Sequence, residues 1–257
     1  MYRSVYYRNI VFTLGVAIIA TTSGMAGPLE PPAGPVTSTG RFGPRTDVLT
    51  LTGDATATRV ISQPGSYYLS GPLLVGGGTV GIRIDANLVN LDLGGNFIIY
   101  NGAGTLDGIL VNEGDMVSIH NGYLFGFGGS GIKILGGSNH TIRDVTVQGC
   151  SGWGMDFNSA PTPRNVTVID SFVRLNSLGG ISADSSLSVS NTQVTENSGP
   201  GIFVNALGNI FHNLVRNNSG AGISCNTGCL VRGNESQANA GGNISAGPQS
   251  TVVENNQ

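Results

Sequence analysis

Short bursts of alternating apolar and polar residues return along this chain, each opened by a glycine and an aliphatic residue. Examples are Gly81-Ile82-Arg83-Ile84, Gly131-Ile132-Lys133-Ile134, Gly154-Met155-Asp156-Phe157 and Gly201-Ile202-Phe203-Val204. Period-two alternation describes a strand with one face buried. The opening pair stands at Gly81, Gly108, Gly131, Gly154, Gly180, Gly201, Gly222 and, with asparagine replacing glycine, Asn243, at intervals of 27, 23, 23, 26, 21, 21 and 21 residues. About ten residues later a second alternating segment follows, as in Thr141-Ile142-Arg143-Asp144 and Thr167-Val168-Ile169-Asp170, and a third inward position comes at Leu124, Val147, Val173, Val194 and Val215. Repeats of this length with two or three strands and no helical run or leucine consensus predict an all-β, single-stranded parallel β-solenoid of about eight coils.

A polar column fixes the register of the stack. Four residues before the signature glycine stand Asn176, Asn197, Asn218 and, before Asn243, Asn239. At the strand spacing of about 4.8 Å, stacked amides pass hydrogen bonds from coil to coil and satisfy turn backbone groups. Cys150 occupies the same column one coil earlier and is expected to be a buried thiol.

The N-terminus changes the picture of where the protein resides. Residues 1–26 read as a secretory signal: Arg3 and Arg8 precede the apolar run from Ile10 to Ala20, and Gly24-Met25-Ala26 supplies small residues for cleavage. The apolar run is short for a membrane span, so no span is expected once the signal is cleaved. Residues 27–46 hold five of the eleven prolines and read as a tether. Residues 47–80 are expected to form an N-terminal cap covering the first open strand edge, and residues 81–257 the solenoid. The net charge is −3, and loss of Arg3 and Arg8 with the signal makes it −5. A basic surface for nucleic acid is thereby excluded.

These repeats, together with Ile61-Ser62-Gln63-Pro64-Gly65-Ser66-Tyr67-Tyr68-Leu69 and Val89-Asn90-Leu91-Asp92-Leu93, resemble the right-handed parallel β-helix repeat proteins of the pectin-lyase-like superfamily, of the bacterial secreted type. The resemblance implies a right-handed coil on the cell exterior, secreted or periplasmic, and a polysaccharide as partner. It does not supply a reaction. The Asn-Thr-Asp motif with its following Asp-Asp pair, of polygalacturonase type, is absent, as is the Asp-Pro-His-Glu string of mannuronan epimerase type.

Outward positions carry the candidate chemistry. The first outward column reads Arg83, Leu110, Lys133, Asp156, Ser182, Phe203, Ser224 and Ser245. Arg83, Lys133 and Asp156 are candidates for contact with a polysaccharide, the two cations pairing with uronate carboxylates; the competing reading is a Lys133–Asp156 cross-strand ion pair. Arg143 stands in a second outward column with His120, and Trp153 offers an aromatic face for a sugar. A lyase needs a base near the C5 proton, for which Lys133, Arg143 and His120 or His140 are the available residue types. The corner carboxylates Asp144 and Asp170 either cap turns or hold Ca²⁺, the one cofactor that comes into question. Cys225 and Cys229 admit two readings, a disulfide across a tight turn or two buried thiols. The last segment, Val252-Val253, leaves a final coil uncovered, from which self-association through the C-terminal coil, or a longer parent chain, is expected. The functional expectation is an exported scaffold or polysaccharide-contacting module, with a polysaccharide lyase or glycoside hydrolase, and an adhesion or surface-assembly protein, as alternatives.

Overall fold

The signature glycines mark the place where the coil wall is thinnest. A β-carbon built on Gly201 would lie 2.5 Å from Val215 Cγ1, 2.6 Å from the Gly222 carbonyl oxygen and 2.8 Å from Asn218 Nδ2. Only glycine lets the first strand enter so close to the third strand and the corner amide. The computed structural model describes residues 44–102, 104–112, 114–159 and 161–256; the predicted signal, nearly all of the predicted tether and Glu113 lie outside the described residues.

Every strand pair is parallel. Nine strands build the first face: Ala57–Ile61, Val80–Ile84, Ile109–Val111, Ile132–Ile134, Trp153–Phe157, Gly179–Ser185, Ile202–Ala206, Ile223–Thr227 and Ile244–Ala246. Their register stacks Ile82, Ile109, Ile132, Met155, Ile181, Ile202 and Ile223 into one column, every member without solvent exposure. The second and third faces merge into one sixteen-stranded sheet, because Ser118–Phe125 and Ser138–Gln148 run through the corner between them. The solenoid therefore has about nine turns, one more than the glycine signature counts. The extra turn comes from the segment read as a cap: Ala57–Ile61 pairs with Val80–Ile84, Gly65–Tyr68 with Val89–Asp92, and Leu73–Val75 with Phe97–Tyr100. Arg59 opposes Ile82 there, which hides the repeat from a search for Gly-Ile.

Corners are made by left-handed residues in register. The first corner turns at Asn139, Asn165, Ser186, Leu207 and Gly228, the second at Asn121, Asp144, Asp170, Asn191, His212 and Gly233, the third at Gly149, Leu175, Glu196, Asn217 and Ala238, all with φ between 50° and 72°. Asparagine and aspartate tolerate this region, whereas leucine and alanine are held there against their preference. The interior closes around one continuous aliphatic cluster from Val48 to Val231. Among the described residues no helix is long and apolar enough to cross a membrane.

Two ladders run inside the corners. In the first, the Cys150 N–H donates to Asn176 Oδ1 at 2.9 Å, and each backbone N–H from Asn176 to Asn218 donates to the next asparagine's Oδ1 at 3.0–3.1 Å. The side-chain amides repeat the link, Asn176 to Asn197, Asn197 to Asn218 and Asn218 to Asn239, at 3.0, 3.0 and 2.9 Å. The second ladder has no counterpart in the sequence reading: Val145 N–H donates to Ser171 Oγ, Ser171 to Thr192 Oγ1, Thr192 to Asn213 Oδ1, Asn213 to Asn234 Oδ1 and Asn234 to Asn255 Oδ1. Cys225 and Cys229 are joined as a disulfide, and Cys150 is a buried free thiol.

Candidate functional site

The outer surface of the first face presents three parallel columns, because its strands alternate and stack without slippage. The central one is the column from Arg83 to Ser245, of which Asp156 and Ser182 are covered by their neighbours and buried. Two residues further along each strand lie Asp85, Asn112, Leu135, Asn158, Asp184, Asn205 and Asn226; at the strand entrances lie Asp107, Ser130 and Trp153. Asn226 Nδ2 donates to Asn205 Oδ1 at 3.0 Å, and Asn158 Nδ2 donates to Ser182 Oγ.

The two cations of the central column are both matched from within. Arg83 binds Asp85 through Nε at 2.8 Å and Asp54 through Nη2 at 2.7 Å, with Thr56 Oγ1 as a third partner. The guanidinium beside Asp54 holds that carboxyl well below its usual range. Lys133 Nζ lies 3.1 Å from Asp156 Oδ2, while Asp156 Oδ1 accepts the Asn158 N–H at 3.1 Å. Asp156 is buried although charged, which is tolerable because its carboxylate is paired and hydrogen-bonded.

Asp107 is the residue that sequence reasoning passed over. Its Oδ1 accepts the Ser130 N–H at 2.6 Å. Burial pushes its carboxyl above the usual value; the Ser130 hydrogen bond and Lys133 oppose that shift, and Asp156 adds to it. The first face thus brings together a carboxyl with a raised pKa, a lysine and a second carboxylate. Trp153 stands next to them, packed on the backbone of Gly179 one coil on, where a β-carbon would come within 2.1 Å of the indole. A shallow depression of about 630 Å³ flanks the same face, lined by Thr162, Arg164, Asp184, Ser185, Asn205 and Leu207 among others.

The remaining predicted residues are dispersed. Arg143 is exposed on the second face, in the column of Asp92 and His120, so it does not join Lys133. His120 Nε2 is 3.2 Å from Asn90 Oδ1, and Asp92 is taken by Arg45 at 2.7 Å. His140 points inward and donates Nε2–H to the Gly136 carbonyl at 3.0 Å; burial holds its imidazole below the ordinary value. A shared lyase centre of Lys133, Arg143 and a histidine is therefore not assembled. Asp144 and Asp170 are exposed left-handed corner residues, and among the described residues no three His, Cys, Asp or Glu side chains gather to hold a metal ion. On the third face Phe97, Tyr123 and Phe125 pack together, with ring centroids 5.0 to 6.3 Å apart, and Phe127 is inside the core.

With this architecture in view, the comparisons with known proteins place the chain in a family. Residues 107–257, more than half of the sequence, match the family model described as right handed beta helix region, and the chain belongs to that family. No curated protein sequence matches it. Among solved structures it is similar to the A-module of the Azotobacter vinelandii mannuronan C-5 epimerase AlgE4, with 13% identity, 82% of this chain and 83% of that one covered, and a TM-score of 0.50. It is also similar to pectate lyase Pel9A, with 13% identity, 79% and 70% covered, and a TM-score of 0.42. The Dettilon tailspike protein gp208 matches with 14% identity, 72% of this chain covered and a TM-score of 0.42; the chain spans 52% of the tailspike's length. At these identities the likeness is one of fold.

Proposed function

We propose that this protein is an exported β-helix that contacts polysaccharide along its first face and acts there as a binding or scaffolding surface rather than as an enzyme. The observation that carries the reading is the register of that face: the accessible side chains Asn158, Asp184, Asn205, Ser224 and Asn226 repeat at strand spacing beside Trp153 on a parallel sheet, above the buried Asp156 and Ser182. Such a ladder matches the repeating hydroxyl groups of a glycan, and an indole supplies the apolar surface on which a sugar ring stacks. Short coils favour binding over turnover, because catalytic clefts in folds of this kind need walls built by long loops.

A second reading has an observation of its own. The Asp107 carboxyl with its raised pKa beside Lys133 and Asp156 is the kind of group that holds a proton at a site of acid–base chemistry, which favours a lyase or hydrolase. One experiment separates the two: incubate the purified protein with neutral and uronate polysaccharides, with and without Ca²⁺, and follow retardation in affinity gels, absorbance of unsaturated products and reducing ends. Retardation without products is expected. Accumulating unsaturated or reducing ends, abolished by Asp107→Asn, would replace the scaffold with the enzyme.

A further inference from the structure

The cations expected to recognise uronates have no charge to spare. Arg83 is held by two carboxylates and Lys133 by one. On and beside this face the cations are Arg59, Arg83, Lys133 and Arg164 and the carboxylates Asp54, Asp85, Asp107, Asp156 and Asp184, and both cations of its central column are already paired. A polyanion laid along the central column finds no free cation there, and it could reach Arg83 or Lys133 only by displacing a carboxylate held at 2.7–3.1 Å. Hydroxyl groups face no such obstacle. Carboxylates and asparagine oxygens accept their hydrogen bonds, Lys133 and the asparagine amides donate to their oxygens, and Trp153 offers a stacking plane.

From this we infer that the first face selects neutral, hydroxyl-rich glycans and excludes uronate polymers. The inference rests on the polysaccharide-contacting reading above and names the ligand class for the same surface. It also reverses the expectation from sequence that Arg83 and Lys133 pair with uronate carboxylates. The charge of a lone residue in a column is legible in a sequence; the partner that neutralises it is not, since Asp54 lies 29 residues before Arg83.

Trp153 is the only tryptophan of the chain, so its emission reports this face without any substitution. Gluco- and manno-hexaoses serve as neutral probes and galacturonate and mannuronate hexamers as anionic ones, each titrated at low and high salt and followed in parallel by affinity gel. The expected result is a saturable emission change with a neutral probe, insensitive to salt, and an affinity for the uronates at least about tenfold weaker, a difference of about 1.4 kcal/mol. Uronate binding that is tighter than neutral binding and falls with salt would overturn the inference while leaving polysaccharide contact standing. So would neutral binding in the gel with Trp153 emission unchanged, which would put the site on another face. No binding of either class by protein whose far-UV circular dichroism is that of a folded β-protein would remove the polysaccharide reading itself, and the inference with it.

Discussion

Asp107 shows what a single side chain contributes once the coil has placed it. Nothing in its column announces it, since the neighbouring coils carry Val80, Ser130, Trp153 and Gly179 at the same entrance. Its carboxyl is raised chiefly by burial, so the folded protein holds this proton more tightly than the unfolded chain does. When the native state binds more protons, stability falls as pH rises. Between the ordinary aspartate value near 3.9 and the raised native value, Asp107 therefore removes stability with increasing pH, and above that window the cost is constant. Asp54 and Asp92, whose carboxyls are lowered, act in the opposite sense and lose their contribution in acid. A difference measurement isolates Asp107. Asp107→Asn keeps an oxygen for the Ser130 N–H, so urea midpoints should show the variant gaining on the wild type as pH rises through the window and staying ahead at neutral pH. A difference that is flat with pH, or of opposite slope, would show that the Ser130 hydrogen bond and Lys133 match or outweigh burial at this position.

At the scale of the element, what matters is the strand corner and the amide stacked within it. Asn218 is buried and makes four links: Oδ1 accepts both the backbone N–H and the side-chain amide of Asn197, and Nδ2 donates to the Val194 carbonyl and to Asn239 Oδ1. Asn218→Ala strands the buried Asn197 N–H, at about 1–3 kcal/mol, and removes the side-chain hydrogen bonds to the Val194 carbonyl and Asn239. A loss of about 2–5 kcal/mol is expected by urea denaturation. The comparison is Asn205→Ala, which removes one solvent-facing amide contact to Asn226 and should cost less than about 0.5 kcal/mol. Equal losses at the two sites would deny the ladder its structural role. This ladder was legible in the sequence because one residue type recurs at constant spacing. The second ladder was not: a corner N–H requires only an oxygen acceptor, and Ser171, Thr192, Asn213, Asn234 and Asn255 supply it from three residue types, as hydroxyl or amide. The same distinction governs the site. Strand alternation fixes which side chains face outward, so Arg83, Lys133 and Asp156 were found. Neutralisation of Arg83 by Asp54 and the seating of Trp153 on Gly179 depend on contacts between coils that no local pattern encodes.

The molecule as a whole is a stack in which each coil touches chiefly its neighbours, so its stability is expected to be a sum over coils and coil interfaces. Three successive intervals of 21 residues make that proposition testable by excision. Removing residues 201–221 joins Pro200 to Gly222 and leaves every column intact: Ile181 meets Ile223, Val189 meets Val231, Asn197 meets Asn239, and Thr192 meets Asn234, each pair now one coil apart. The shortened protein should keep its β circular dichroism, unfold in one transition and show a lower m-value in proportion to the surface removed. Its stability should fall by no more than the contribution of one coil. Removing residues 201–220 instead displaces every later strand by a single position, and period two then turns Ile223 and Cys225 outward and sends Ser224 into the core. That variant should fail to fold or should aggregate. If both deletions behaved alike, whether folded or unfolded, in-register stacking would not be what holds this chain together, because the two differ by one residue in length and by nothing else except the register they impose.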